Sequence, residues 1–133
     1  MPFLHENIQA ALAFEQINNL QDSEIGDYYP IIAKFVPMVM NCGLAQSMAF
    51  LAVKGHHHVL SHLTAHVCSH PSLGVAHDCE ESDLVEIVVN ADQKTYRLIT
   101  RFVTIAAGWL KRFAGARKLK HEHEERDEQE MEQ

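Results

Sequence analysis

Apolar residues recur at helical spacing through most of the chain and predict five or six helices. The first predicted helix runs from Glu6 to Leu20, and others are predicted over 28–40, 44–53 and 56–67. The longest is expected to run from Gln93 to about Ala114. Its predicted apolar face consists of Tyr96, Ile99, Phe102, Val103, Ala106, Trp109, Leu110 and Phe113. The pattern therefore predicts an all-α fold.

Polar and glycine-containing segments are predicted to separate these helices. Residues 21–27 are interpreted as a loop, and residues 41–43 and Gly55 as short breaks. Pro37 is expected to kink its helix or to start another one, because its ring removes a backbone hydrogen bond. The longest predicted loop covers residues 69–79.

The segment between that loop and the last helix has two interpretations. Ser82 is suited to cap a short helix that ends at Asn90, whereas residues 87–89 would suit a strand equally well. Asp92 is placed to cap the last helix, where its charge favours the helix dipole.

The composition favours one compact domain. The 133 residues are 47% apolar and include only four prolines and six glycines, which suits a helical bundle with its own core. We expect that bundle to span residues 1–118. Residues 119–133 have only Leu119 and Met131 as large apolar side chains, so this acidic tail is predicted to be disordered.

The chain is expected to be a cytoplasmic protein that does not enter a membrane. Its first residues lack the basic n-region of a signal peptide, and Glu6 and Asn7 lie where an apolar h-region would be. The longest weakly charged segment, residues 28–53, contains Lys34 and two prolines. We interpret it as buried helix rather than as a membrane span.

Cysteines occur at Cys42, Cys68 and Cys79, an odd number at irregular spacing. Free thiols in a reducing compartment are the simplest explanation. Two of these cysteines flank the pattern Cys-x-His-x6-His-x-Cys over residues 68–79, which could supply four zinc ligands. This spacing matches no established zinc motif.

Histidines form a second candidate metal pattern. His58, His62 and His66 follow i, i+4, i+8, a spacing that can place two imidazoles on one metal. We predict no metal and no cofactor, and we interpret these histidines as surface residues. A zinc-dependent regulatory protein is kept as an alternative function.

The net charge of −7 hides a strong separation of charge along the chain. All eighteen acids lie in three blocks, namely 6–27, 78–92 and 122–132. Between Lys94 and Lys120 there are eight basic residues and no acid. Such segregation says more about binding partners than the net charge does.

Basic residues of the last predicted helix share one face, which we call the cationic stripe. It consists of Lys94, Arg97, Arg101, Thr104, Gly108, Lys111 and Arg112. Its cations are expected to lie opposite Phe102 and Trp109, and Arg117 extends the charge beyond it. The absence of acids for i, i+4 pairing is unusual for a purely solvated face. Charge alone leaves a solvated face and a polyanion-binding site equally open.

Motifs of catalysis are missing from the chain. It contains no Gly-x-Ser-x-Gly elbow, no phosphate-binding glycine loop and no His-Glu-x-x-His. We therefore predict no catalytic residues and no enzyme activity.

The acidic tail is interpreted as a solvated end, with shielding of the cationic stripe as the alternative.

Four segments resemble a known family in their order and spacing. They are Lys34–Met38, Asn41–Leu51, Tyr96–Arg97 and Trp109–Ala114. Together they resemble the small helical subunit of the type III-B CRISPR effector, the Cmr complex. The resemblance extends from about residue 6 to 118.

This resemblance implies an all-α, non-catalytic structural subunit. In that family, copies stack beside the duplex of guide RNA and target RNA and contact the large and backbone subunits, which carry the catalytic activities. Carried onto this chain, the RNA contacts would be Lys34, Asn41, Gln46, Lys54, Arg97, Arg101, Lys111 and Arg112, with Arg117 next to them. The chain departs from the family in having no Lys or Arg before Lys34, a histidine-rich segment and an acidic tail.

The sequence thus predicts a subunit that binds RNA backbone without sequence preference, since pairing with the guide supplies specificity. The alternative from another class is a helical protein–protein adaptor whose cationic face binds an acidic partner. Salt-dependent RNA affinity distinguishes the two.

Overall fold

The computed structural model describes the backbone of residues 2–69 and 81–132 and the side chains of residues 8–69 and 84–132. These residues form six helices and no strand. The helices are α1 (Pro2–Asn18), α2 (Asp22–Cys42), α3 (Leu44–Lys54), α4 (His57–Cys68), α5 (Glu81–Asn90) and α6 (Gln93–Met131). The all-α fold predicted from the sequence is confirmed.

The long helix α6 is the centre of the bundle and packs against α1, α2 and α4. It runs antiparallel to α2, because Tyr29 near the start of α2 lies against Gly115, and Gly43 just after its end lies near Tyr96. It runs parallel to α1, since Phe14 lies against Phe113 with ring centroids 5.4 Å apart and Ile17, one turn later, accepts from Arg117. Apolar side chains from all six helices form one core.

The start of α2 differs from the sequence prediction. Residues 22–27 are helical rather than a loop, and Gly26 lies inside the helix. The backbone N–H of Gln21 donates to the Glu24 carboxylate at 2.8 Å, which satisfies a donor at the helix start and begins the helix earlier. Glutamine is an uncommon capping residue, so this signal is weak in sequence.

Glycines end helices where the sequence predicts breaks. Gly43 has a φ of 84° and Gly55 a φ of 73°, a region that other residues rarely adopt. From Asp22 to Cys42, α2 continues without interruption through both Pro30 and Pro37. The structure therefore shows one helix across Pro37 rather than a restart.

The ambiguous segment before α6 is a helix, α5, and not a strand. Leu84 and Val88 are both buried, and their i, i+4 spacing places them on one helical face. Ser82 lies within the first turn of α5 instead of capping it. The predicted loop over 69–79 falls almost wholly outside the described residues.

The C-terminal tail is helical in the structure, which corrects the predicted disorder. α6 begins as predicted, with the Asp92 carboxylate accepting from the Thr95 N–H at 2.7 Å, but it ends at Met131 instead of near Ala114. Extending an existing helix avoids the cost of nucleating a new one. His121 and Glu125 also pair across one turn at 3.2 Å.

The predicted apolar face of α6 is buried only along its centre. Ile99, Val103, Ala106 and Leu110 are fully buried. Tyr96, Phe102, Trp109 and Phe113 are only partly buried and pack at the margin of the core. Trp109, expected in the core, therefore lies at its edge.

Two other findings concern cysteines and membranes. Cys68 is disulfide-bonded, so the expectation of free thiols is wrong for this residue, whereas Cys42 is free and exposed. An odd number of cysteines does not exclude one pair. No helix in the described ranges combines the length and apolarity needed to cross a bilayer.

Candidate nucleic-acid interface

The cationic stripe lies on the side of α6 that faces away from the core. The buried residues Ile99, Val103 and Leu110 occupy the opposite side of the helix. Every cation of the stripe is exposed, namely Lys94, Arg97, Arg101, Lys111 and Arg112. The separation follows from the period of about 3.6 residues per turn, which returns residues seven apart to one face. These cations are accessible to a partner.

Four cations of the stripe have no anionic partner among the described residues. Arg97, Arg101, Lys111 and Arg112 form no ion pair there. Lys94 differs, because it lies next to Asp92: hydrogen bonds from Thr95 lower the pKa of Asp92, and the Lys94 charge adds to that effect. Unpaired cations on an acid-free helix face create a positive potential that attracts polyanions.

The stripe is broader than one line along the helix. At about 100° per residue, Arg97, Gly108 and Arg112 lie within about 40° of Arg101. Lys111 is displaced from Arg101 by about 80° and lies on the flank of the stripe. The guanidinium groups therefore form the centre of the charged surface.

Two apolar side chains interrupt the cations, a feature that the sequence analysis missed. Leu98 is 45% exposed and Ile105 is 40% exposed. Leu98 directly follows Arg97, and Ile105 lies one turn beyond Arg101, so both belong to the outward side of α6. Their i, i+7 spacing was a usable signal in the sequence. The surface is thus mixed, with cations beside exposed apolar groups.

Arg112 has an aromatic contact within the chain. Its guanidinium carbon lies 5.2 Å from the centre of the Trp109 ring, and Trp109 stacks on Phe113 with centroids 5.7 Å apart. The expectation that all the stripe cations lie opposite Trp109 is therefore wrong for Arg112. A cation over an indole face gains a modest electrostatic stabilisation, so Arg112 contributes both to the surface and to packing at its edge.

Arg117 is engaged in holding the helices together. One guanidinium nitrogen, Nη1, donates to the Ile17 carbonyl near the end of α1, and Nη2 lies 3.0 Å from the Asp22 carboxylate. The cation thus satisfies a carbonyl at a helix C-terminus. The adjacent Lys118 lies over the Tyr29 ring at 5.2 Å. No sequence signal reveals these contacts, since Arg117 and Asp22 are 95 positions apart.

The candidates on α2 lie away from its contact with α6. Lys34 and Asn41 are exposed, and their i, i+7 spacing places them on one face. Tyr29, which contacts α6, is about 140° from Lys34 around the helix. The structure therefore does not bring Lys34 onto the cationic stripe.

The candidates on α3 lie at opposite ends of that helix. Gln46 is exposed in the first turn, next to the position where the Ala45 N–H donates to the Tyr96 hydroxyl at 3.1 Å. This contact brings the start of α3 close to the start of the stripe at Arg97. Lys54, at the other end, is about 12 Å further along the helix axis.

In the histidine ladder, His58, His62 and His66, the last two lie between α4 and its neighbours, whereas His58 is exposed. His66 is fully buried, and its Nε2 lies 2.9 Å from the Gln16 Oε1. His62 Nδ1 lies 2.9 Å from the Tyr28 hydroxyl. Burial lowers the pKa of His62 and of His66 to about 4. The prediction of surface residues is therefore wrong for these two, because their helical spacing coincides with the core face of α4.

Metal ligation has no geometric support in the part of the chain that the structure describes. No group of three or more His, Cys, Asp or Glu side chains there is arranged to hold an ion. His58 instead pairs with Glu24 at 2.5 Å, beside an open cleft of about 740 Å³ that Asp27 and His56 also line. His70, His77 and Cys79 lie outside the described residues.

Comparison with known proteins identifies the family of this chain. Residues 5–117 match the family described as CRISPR-associated protein (Cas_Cmr5). The chain belongs to the CRISPR-associated Cmr5 family. It is 30% identical over 112 residues to the CRISPR system Cmr subunit Cmr5 of Thermus thermophilus, covering 82% of this chain and 91% of that protein. The resemblance identified from the sequence is confirmed.

A solved structure supports the same conclusion for the fold. The crystal structure of a CRISPR-associated Cmr5 family protein from Thermus thermophilus is similar with a TM-score of 0.69 and 27% identity. The likeness covers 84% of this chain and 96% of that one. The Cmr5 family match ends at residue 117, so the acidic end of α6 lies beyond the matched part of the chain.

Proposed function

We propose that this Cmr5-family chain is a non-catalytic structural subunit of a type III-B CRISPR interference complex and binds the backbone of RNA through the cationic stripe. Membership of the Cmr5 family supports a role as a Cmr subunit in CRISPR defence. The observation that carries the RNA-binding part is the outer face of α6 between Lys94 and Lys120. It has no acid, and Arg97, Arg101 and Lys111 are exposed on it and unpaired among the described residues.

The chemistry of this face suits phosphate groups. A guanidinium presents a planar fork of N–H donors that matches two phosphate oxygens. Contacts to phosphates fix a strand in place without reading its bases, which fits a subunit of a complex in which guide pairing supplies specificity. We assign direct phosphate contacts to Arg97, Arg101, Lys111 and Arg112.

The remaining candidates have different roles in the proposal. Gln46 lies near the end of the stripe at Arg97 and would contact backbone groups there, whereas Asn41 shares the face of Lys34. Lys34 and Lys54 lie on other faces, where they would meet a second strand or another subunit. Arg117 has a structural role in the proposal and connects α6 to α1, because its guanidinium already contacts Ile17 and Asp22.

The proposed partners are guide RNA and target RNA, the large and backbone subunits, and further copies of this chain stacked beside the duplex. The family resemblance supports this arrangement, and the exposed apolar groups Phe14, Leu98 and Ile105 would suit contacts with protein. We place the function in the cytoplasm, and it requires neither a metal nor a cofactor.

A protein–protein adaptor is the second candidate function. Leu98 and Ile105, exposed among the arginines, favour it, because protein interfaces combine apolar side chains with arginine. In this case the cationic stripe would bind an acidic protein surface, and RNA would not compete for it.

Co-purification tests the proposed function. The tagged chain would be expressed with the other type III-B subunits and a guide RNA, and the RNA and protein content of the purified assembly would be measured. We expect guide RNA and subunits to co-purify, and the chain to crosslink to RNA through α6. Recovery of the subunits with no RNA crosslink to this chain would favour the adaptor instead.

A further inference from the structure

Gly108 lies in the middle of α6, where no contact within the chain requires a glycine. A Cβ built at this position would meet nothing within 4 Å. Among the described residues, the glycines with positive φ are Gly43 and Gly55, so the backbone of Gly108 does not require glycine either. Glycine is less favourable than alanine within a helix. The fold alone therefore gives Gly108 no advantage.

Gly115, seven residues later on the same helix, shows the contrasting case. A Cβ at Gly115 would lie 3.0 Å from the Tyr29 ring, which is closer than normal contact. Packing of α2 against α6 therefore explains Gly115. The space at Gly108 opens outward, away from the bundle.

Gly108 leaves a bare strip on the outer side of α6, with the exposed side chain of Ile105 on one flank. Arg101 and Arg112 lie on either side of it along the helix, about 16 Å apart. Thr104, one turn before Gly108, turns its hydroxyl back to the Thr100 carbonyl at 2.7 Å. At Gly108 the helix backbone therefore lies close to the outer surface, and cations border this point along the helix axis.

We infer that Gly108 is the point at which the RNA backbone comes closest to α6, with Arg101 and Arg112 holding phosphates on either side. This inference rests on the proposed function. Without a Cβ at this position, a sugar–phosphate chain can lie directly on the helix, so that both arginines reach it at hydrogen-bonding distance. The absence of acids between Lys94 and Lys120 favours a polyanion over a protein at this point.

Substitutions at Gly108 test this inference, with Gly26 as a matched control. Gly26 also lies inside a helix where an added Cβ would meet nothing within 4 Å, but on α2, away from the stripe. Gly108→Ala and Gly26→Ala should both raise the Tm by a few degrees, because alanine favours helix. Gly108→Leu should weaken binding to a mixed-sequence RNA about tenfold, comparable to losing one charge-assisted hydrogen bond. Gly26→Leu should bind as wild type.

Three other outcomes would overturn the inference, and they differ in what they imply. If Gly108→Leu binds RNA as wild type while Arg97→Ala/Arg101→Ala loses affinity, close approach is wrong and the proposed function stands. If both variants bind as wild type, the proposed function fails as well. If Gly108→Leu keeps RNA affinity but no longer assembles with the other subunits, the bare strip receives a protein.

Discussion

Individual side chains of α4 carry a pH dependence that the net charge does not reveal. His62 and His66 have folded-state pKa values of about 4, against about 6.5 when exposed. Burial lowers both values. The neighbouring charge of His58 lowers the pKa of His62 further, and Glu24 opposes it. The uncharged side chains Tyr28 and Gln16 supply their hydrogen-bond partners.

The sign of the effect follows from proton binding. Below about pH 6.5 the unfolded chain binds protons at these histidines while the folded chain does not, so stability falls until about pH 4. For each fully buried histidine, the free energy of unfolding should fall by about 2 kcal/mol between pH 7 and pH 5. The loss should be smaller for His62, which keeps some contact with solvent.

Replacement of the buried histidines should remove this dependence. We expect His62→Gln/His66→Gln to show a smaller difference in unfolding free energy between pH 7 and pH 5 than the wild type, as measured by urea denaturation. His123→Gln is the control, because His123 is exposed on the last turns of α6, away from the buried pair. An unchanged pH dependence in the double variant would show that other groups titrate.

Neighbouring residues of α6 should differ in their contribution to stability. Leu110 is fully buried, so Leu110→Ala should cost about 3–5 kcal/mol. Trp109 is only partly buried, and Trp109→Ala should cost less, in spite of the larger side chain. Chemical denaturation of the two variants measures the difference. A greater loss of unfolding free energy for Trp109→Ala than for Leu110→Ala would show that the indole is a core residue, as the sequence predicts.

Local signals in the sequence predict some helix ends and not others. Gly43, Gly55 and Asp92 act through their own backbone or side chain, so they are recognisable without the fold. The start of α2 depends on the weaker pair Gln21 and Glu24. The length of α6 could not be predicted, because its exposed end follows from the helix already built on the core.

The continuous helix also bears on the acidic tail. Residues 122–132 follow the stripe along the same axis, about 30 Å beyond Arg101. While α6 remains helical, these acids cannot fold back over the stripe of their own chain. Shielding of the stripe by its own tail would require α6 to break.

Truncation tests whether this end of α6 is independent of the bundle. Residues 122–131 are exposed throughout, so deletion after His121 should leave the Tm nearly unchanged while reducing the helical circular-dichroism signal. The last residues should also be the first sites of limited proteolysis. A fall of several degrees in the Tm would show that the tail packs against the bundle.

The sequence allows the site to be predicted in part at the scale of the whole molecule. The stripe is visible because its charges lie on one helix, where spacing alone defines a face. Arg117 could not be assigned, since its partners Ile17 and Asp22 are distant in sequence and only the fold brings them together. The burial of His66 was hidden for the same reason.

One face of the molecule carries a charge opposite in sign to the net charge. The chain carries −7 overall, yet the outer side of α6 between Lys94 and Lys120 has only basic charges. A solvated face and an RNA-binding face differ in counterion release, because only a cation that contacts a phosphate displaces an ion from RNA.

The salt dependence of RNA binding tests this account most directly. Affinity of the isolated chain and of the assembled complex for single-stranded RNA would be measured over a range of salt concentrations. Each phosphate contact contributes about 0.7 to the slope of log affinity against log salt, so Arg97→Ala/Arg101→Ala should flatten the slope by about 1.4. The control Lys120→Ala/Arg126→Ala removes the same charge away from the stripe and should keep the wild-type slope. Equal slopes and affinities for the wild type and Arg97→Ala/Arg101→Ala, with folding and assembly intact, would contradict RNA binding by this face.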